Sequence, residues 1–255
     1  MCLLLFAYQV HPEYPLVIAA NRDEFHQRPA APADWWEKDH ILAGRDLEAG
    51  GTWLGVNRLG QFAVITNYRD RDSPLPGARS RGELVVQALT ASHDGWSQLQ
   101  ALDAEAEHYN GYNLVFGSSQ GVFSYSNRSR KRAELEPGIY GLSNHLLETP
   151  WPKVRRGKAE LERYLASGDL PALAPLVDLL ANRQQAEADE LPATGLKPDW
   201  ERRLSAMFIV SSDYGTRAST GIVMDRNGEV GFLERCFAAN GDQTDEREFH
   251  FSSTT

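Results

Sequence analysis

The chain opens on a continuously apolar run, Cys2–Tyr8, closed by His11-Pro12, and a second apolar run over 16–20 follows the turn at Pro12 to Pro15. Short apolar runs without alternation suit strands buried on both faces, so these two are expected to pair as a hairpin. Two further hairpins are predicted. One joins 52–56 to 61–66 across Asn57-Arg58-Leu59-Gly60, and the other joins 113–117 to 121–125 across Ser118-Ser119-Gln120. Helical spacing lies between them. Ser80-Arg81-Gly82-Glu83 has the spacing of a capping box, and Leu84, Val85, Ala88 and Leu89 follow at helical intervals. Further helices are expected from about Trp96 to Glu107, after Pro152 (Val154, Leu161, Leu165) and after Pro171 (Leu173, Leu176, Val177, Leu180). Strands return at 206–211, 219–224 and 230–234, the last preceded by Asp225-Arg226-Asn227-Gly228, whose Asn-Gly favours a tight hairpin turn. Hairpins with interspersed helices and no βαβ rhythm predict an α+β fold of mainly antiparallel sheets. Glycine and proline are spread throughout instead of gathering in a linker, so residues 1–255 are expected to form a single domain.

Composition narrows the function classes. Lysine and arginine total 26 against 35 acidic residues, a formal net charge of −9. A dedicated nucleic-acid binder would carry a basic footprint instead. The longest apolar runs are far shorter than the roughly 18 residues of a membrane span, and no basic region precedes the first one as a secretory signal requires. A soluble cytoplasmic protein is expected. With only Cys2 and Cys236, neither a disulfide framework nor a four-cysteine zinc site can form. Histidines at 11, 26, 40, 93, 108, 145 and 250 make no i,i+4 pair on a helix, so no metal and no cofactor is expected.

The sharpest chemical feature is Cys2. Removal of Met1 would leave a thiol and an α-amine on one residue, and an amine with a reference pKa of about 8 can accept the thiol proton. Nucleophile and base then stand side by side without a histidine. The alternative is a small residue beginning a buried strand. Asn21-Arg22-Asp23-Glu24 ends the second strand in polar groups, and a hairpin would return this cluster to Cys2. There a carboxylate can hold the α-ammonium and a guanidinium can favour the thiolate; otherwise the cluster simply locks the hairpin. Asn67 and Asn144, each at the end of a strand-like stretch, are candidate oxyanion donors that add no titrating group, or turn residues. Trp35, Trp36 and Trp53 are candidates to line an apolar cleft or to fill space between elements. His145 stands beside Asn144 and is a pocket or a cap histidine. Cys236 is expected in inert core, and the basic run Arg128 to Arg132 in a solvated loop able to steer an anion.

Taken together, Asn21-Arg22-Asp23-Glu24 at this distance from Met1-Cys2, Gly44-Arg45-Asp46, Gly50-Gly51-Thr52-Trp53-Leu54-Gly55, Thr66-Asn67-Tyr68-Arg69, Gly141-Leu142-Ser143-Asn144 and Tyr214-Gly215-Thr216-Arg217 resemble the NRDE-motif family, the transport-and-Golgi-organisation protein 2 family. The matches run from residue 2 to about 235. The resemblance implies the four-layer αββα sandwich of N-terminal nucleophile hydrolases, and a link to haem trafficking or to lipid and acyl-CoA metabolism. A more distant similarity is to choloylglycine hydrolases and penicillin V acylases, which begin Met-Cys and cleave amides with that cysteine. It implies catalytic roles for Cys2, Asp23, Asn67, Asn144 and Arg217. Those enzymes carry an arginine three residues before the aspartate, where this chain has Ala20; Arg22 is the substitute, although strand neighbours point to opposite faces. The expected activity is hydrolysis of a small amide or acyl substrate. Its rivals are a non-catalytic carrier for a haem-like or acyl-CoA-type ligand and a scaffold, with no nucleic-acid partner in any case.

Overall fold

The computed structural model describes residues 2–69, 74–91, 94–168 and 170–254; Met1 and His93 lie outside the described residues. Strand geometry divides the first apolar run between two cores. β1 (Cys2–Tyr8) turns Leu4 and Phe6 to one side and Leu3, Leu5 and Ala7 to the other, and all five are sealed from solvent. β2 (Leu16–Phe25) does the same with Ile18 and Ala20 against Val17 and Ala19. The two pair antiparallel from Tyr8 opposite Leu16 to Cys2 opposite Arg22, so β2 carries its register past the apolar run and through Asn21-Arg22-Asp23-Glu24.

The next seven strands form one sheet in chain order. They are β3 (Ala30–Trp36), β4 (Ile41–Asp46), β5 (Leu54–Asn57), β6 (Phe62–Asn67), β7 (Tyr112–Ser118), β8 (Gly121–Ser126) and β9 (Arg132–Glu134). The chain then rejoins the first sheet with β10 (Gly138–Leu142), β11 (Tyr214–Met224), β12 (Glu229–Phe237) and β13 (Gln243–Ser252), giving the order β10-β1-β2-β11-β12-β13. Every strand pairing in both sheets is antiparallel.

The sheets face each other across Leu4, Phe6 and Ile18 from the first and Leu42, Val56, Phe62 and Val115 from the second. On the outside of the first sheet, α3 (Pro152–Ala166) and α4 (Leu173–Asp178) bury Val154, Leu161, Leu176 and Val177 against Leu3, Leu5 and Val17. On the outside of the second, α1 (Gly82–Thr90) and α2 (Gly95–Ala104) bury Leu84, Val85, Leu99 and Leu102 against Ile41, Ile65 and Leu114. The result is the expected α+β, four-layer αββα sandwich. At α3 the approach is close: a Cβ on Gly157 would stand 2.6 Å from the Leu5 Cδ1 atom. That proximity brings the first turn of α3 down onto the Cys2–Asp23 end of the β1–β2 pair.

Several local expectations are corrected. The run 206–211 is not a strand. Its backbone is held instead by Asn21 Nδ2 to the Met207 carbonyl (2.7 Å), by the Phe208 N–H to the Asn182 carbonyl and by the Ile209 N–H to Thr216 Oγ1. Buried polar partners satisfy an apolar segment that periodicity alone assigns to a ladder. The capping box does not form: α1 starts without a side-chain cap, and Glu83 turns to the Tyr109 hydroxyl and Arg79. Asp94 caps the start of α2 through the N–H groups of Trp96 and Ser97, and the helix ends at Ala104, short of Glu107. Strands β3, β4, β9 and β13 are additions; β13 is an exposed edge whose charged alternation conceals it.

Candidate active site

The β1–β2 ladder sets the site. Cys2 lies directly opposite Arg22, and on a regular strand the two share the face that looks between the sheets. Asp23 turns to the opposite face, toward α3. At the strand end, the Cys2 carbonyl accepts from Ser143 Oγ at 2.9 Å, which ties the chain start to the turn after β10. The Arg22 guanidinium crosses to the second sheet, lying 4.2 Å over the Trp53 ring and 3.7 Å from Asp46 Oδ2. Gly44 makes this possible, since a Cβ there would stand 2.5 Å from the Trp53 ring.

Between the sheet ends opens a cleft of about 270 Å³, and Cys2, Arg22, Asp23, Glu24 and Asn67 all line it. Its far wall comes from Arg28, Asp46, Thr52 and Trp53, and from Arg79, Ser80, Arg81 and Gly82 leading into α1. Asn67 is the last residue of β6, and its side-chain amide makes no hydrogen bond to any described residue. The amide is uncommitted beside Cys2. Asn144 differs. It is wholly buried, its Nδ2 donates to the Asn67 carbonyl at 2.9 Å, and its own carbonyl accepts the Arg69 N–H. Asn144 therefore positions Asn67 and does not line the cleft.

Electrostatics separate the groups by role. Burial pushes the Cys2 thiol above its ordinary value, against the lowering effects of the Asp23 N–H and Arg22. The thiol is thus protonated at neutral pH and needs a base to become a nucleophile. Burial also raises Asp23, opposed by Lys153 and by the Thr216 hydroxyl, which donates to Oδ1 at 2.8 Å. At Asp46, burial is outweighed by Arg28 Nε at 2.7 Å and by the N–H groups of Glu48 and Ala49, and its pKa falls.

Other candidate residues stand elsewhere. Arg217 does not line the Cys2 cleft. Its Nη1 donates to the carbonyls of Phe25, His26 and Arg28, each at 3.1 Å, holding the turn after β2. With Arg22, Trp53 and Cys236 it borders a second cavity of about 170 Å³. Asn21 locks the helix side through Leu180, Met207 and Ser219. Of the three tryptophans only Trp53 lines the cleft. Trp35 and Trp36, as strand neighbours, part to opposite faces, toward the inter-sheet core and toward the α1 side. His145 packs between Tyr68 and Trp151. Cys236 is half-buried, and burial beside Glu234 pushes its thiol up to about 12. Arg130, in the basic run, is exposed and ion-paired with Asp103 and Glu107. Among the described residues no group of three or more His, Cys, Asp or Glu side chains is placed to hold a metal ion, and no helix is long and apolar enough to cross a membrane.

Sequence reasoning misses several groups, among them Arg28 and Arg79 in the cleft wall. Arg81 lines the cleft from a loop far from Cys2 in sequence, and nothing local marks it. Lys153 did leave a signal. It stands four residues before Gly157 and eight before Leu161, on the buried stripe of α3, where a charged side chain is out of pattern. It is 1% exposed, with its Nζ 3.7 Å from Asp23 Oδ2.

The model of the family described as Transport and Golgi organisation 2 matches residues 1–239. The chain belongs to the Transport and Golgi organisation 2 family. It is similar to the bovine (Bos taurus) Transport and Golgi organization protein 2 homolog, 38% identical over 99% of this chain and 100% of that one. With the Drosophila melanogaster Transport and Golgi organization protein 2 it shares 30% identity over 92% of this chain and 91% of that one. The Transport and Golgi organisation 2 model thus spans the cleft-lining residues of both sheets and ends before β13. Among solved structures the chain is similar to the C2A mutant of conjugated bile acid hydrolase from Clostridium perfringens. The TM-score is 0.44 at 10% identity, covering 100% of this chain and 98% of that one.

Proposed function

We propose that this chain is a cysteine N-terminal nucleophile hydrolase of the Transport and Golgi organisation 2 family, acting on a small amide or acyl substrate. One observation carries the reading: the Cys2 thiol and the uncommitted Asn67 amide line the same cleft from opposite sheets. With Met1 removed, the Cys2 α-amine takes the thiol proton while sulfur attacks the substrate carbonyl. The forming oxyanion is held by the Asn67 amide, a donor type whose loss typically costs about 10²–10³ in turnover. The carbon–nitrogen bond then breaks, the amine leaves with the proton, and water releases the acyl group from sulfur. The raised thiol supports a base-assisted step over a resting thiolate. Arg22 is the cation beside the sulfur, Asp23 orients the amine, Asn144 holds Asn67, and Arg217 holds the turn that follows β2. The reading includes a cytoplasmic location, supported by two cysteines that remain unpaired.

Intact-mass measurement followed by a thiol-reactive β-lactone probe tests this. The expected result is a chain lacking Met1 that labels at Cys2 when native, labels poorly when denatured, and loses labelling in Cys2→Ala. Retained Met1, or equal labelling of native and denatured chain, overturns it. Stoichiometric haem or acyl-CoA binding that survives Cys2→Ala, without turnover, would replace it with a carrier.

A further inference from the structure

We infer that Lys153 is a positioning residue of this site, its ammonium balancing the Asp23 carboxylate from the helix side so that the Cys2 α-amine stays neutral and able to accept a proton. The inference rests on the N-terminal nucleophile reading. It starts from a buried charge with nothing else to do. Lys153 sits on the second residue of α3, all but removed from solvent, and among the described residues its Nζ has no hydrogen-bond partner. A buried ammonium without partners is costly, so it persists only where a counter-charge holds it. That counter-charge is Asp23 Oδ2 at 3.7 Å, brought within reach because Gly157 lets α3 settle on β1.

The groups facing Lys153 are few. Cys2 lies on β1 and Asp23 on β2, while Arg69 follows β6 with its charge answered by Glu201 at 2.9 Å. From β11, Thr216 donates to Asp23 Oδ1 and the Tyr214 hydroxyl donates to the Asp23 carbonyl. Asp23 follows Arg22, the residue opposite Cys2 in the ladder, so in this proposal one carboxylate faces both the Lys153 amine and that of residue 2. Alone, a buried carboxylate beside the α-amine would hold it as ammonium, which cannot act as a base. With Lys153 in place the pair is nearly neutral, and the α-amine is left with Arg22 and a desolvated surrounding, both of which favour its neutral form.

The test titrates the α-amine directly, by the pH dependence of its acetylation with acetic anhydride, read by peptide mass. The chain carries Cys2→Ser so that sulfur does not compete. The expected midpoint lies below the ordinary amino-terminal range of about 7.7–8.0. Lys153→Met should raise it by about one pH unit or more, the usual scale when a neighbouring carboxylate loses its counter-charge, whereas Lys153→Arg should leave it low. A midpoint in or above the ordinary range in the Cys2→Ser chain overturns the inference even where Lys153→Met does not fold, and so does an unchanged midpoint in folded Lys153→Met. The hydrolase reading fails separately, by retained Met1 or by an unreactive Cys2 in the wild type.

Discussion

The guanidinium of Arg22 rests 4.2 Å over the ring of Trp53, and this stacked pair lines both the Cys2 cleft and the cavity beside Cys236. A cation over an indole gains roughly 0.5–2 kcal/mol, more as water is excluded, so Trp53 fixes where the Arg22 charge sits in the cleft. Trp53→Ala is expected to join the two cavities and cost about 2 kcal/mol or more, below the full core range because the ring is only half-buried. It should also slow β-lactone labelling of Cys2, while Trp53→Phe retains most of both properties. Urea denaturation and labelling rates measure the two effects. Wild-type labelling in a folded Trp53→Ala chain would detach the stacking from the site.

Gly44 supplies a complementary test by adding atoms instead of removing them. An alanine Cβ there would meet the Trp53 ring at 2.5 Å, inside any van der Waals contact, with Glu234 Oε2 at 3.2 Å behind it. Overpacking of this kind costs about 1–3 kcal/mol. Gly44→Ala should therefore lower the urea midpoint and displace Trp53 from Arg22, visible as a change in tryptophan fluorescence. An unshifted midpoint would mean that the β4–β5 edge yields without strain.

How far this fold and site could be read in advance depends on what each residue's partners are. The β1–β2 hairpin was legible because Leu3 to Tyr8 and Leu16 to Ala20 are apolar without interruption, and its register alone brings Arg22 to Cys2. The helix stripes of α1, α3 and α4 are legible because their apolar residues recur at helical spacing. The run 206–211 departs from its apolar pattern because its hydrogen-bond partners, Asn21, Asn182 and Thr216, are distant in sequence. Arg217 and Asn144 illustrate the same limit in the site. Residue type and order assign both to chemistry, whereas the structure commits their side chains to hydrogen bonds with backbone carbonyls.

That division predicts different behaviour on substitution. Asn144→Ala leaves the half-buried Asn67 carbonyl without its donor, at a cost of about 1 kcal/mol, and releases the end of β6. Labelling of Cys2 should then fall along with stability. Arg217→Met frees three carbonyls around the turn after β2, so its main effect should be on the thermal midpoint, with labelling of the still-folded chain little changed. Labelling abolished in folded Arg217→Met would instead put the guanidinium into the chemistry.

Glu234 gives a pH-dependent stability with a definite sign. The carboxyl lies 1% exposed under the inter-sheet core, accepting the Ala33 N–H at 2.7 Å and facing the Thr220 hydroxyl. Burial, against the lowering effects of the Ala33 N–H and Arg22, raises its pKa from 4.5 to about 7. The folded state thus holds a proton that the unfolded chain releases, and stability from this group is full below about pH 4.5 and lost as pH rises through 7. His145 runs the other way in a neighbouring window. Burial and Arg69 lower its pKa, so its contribution is present above the ordinary histidine value and is lost as pH falls. Wild type and Glu234→Gln must therefore be compared at each pH, which cancels the histidine. Between pH 5 and pH 7.5 the urea midpoint of the wild type should drop relative to that of Glu234→Gln, whose amide can still accept the Ala33 N–H. Parallel curves for the two chains would show that the buried carboxyl stays ionised at pH 5.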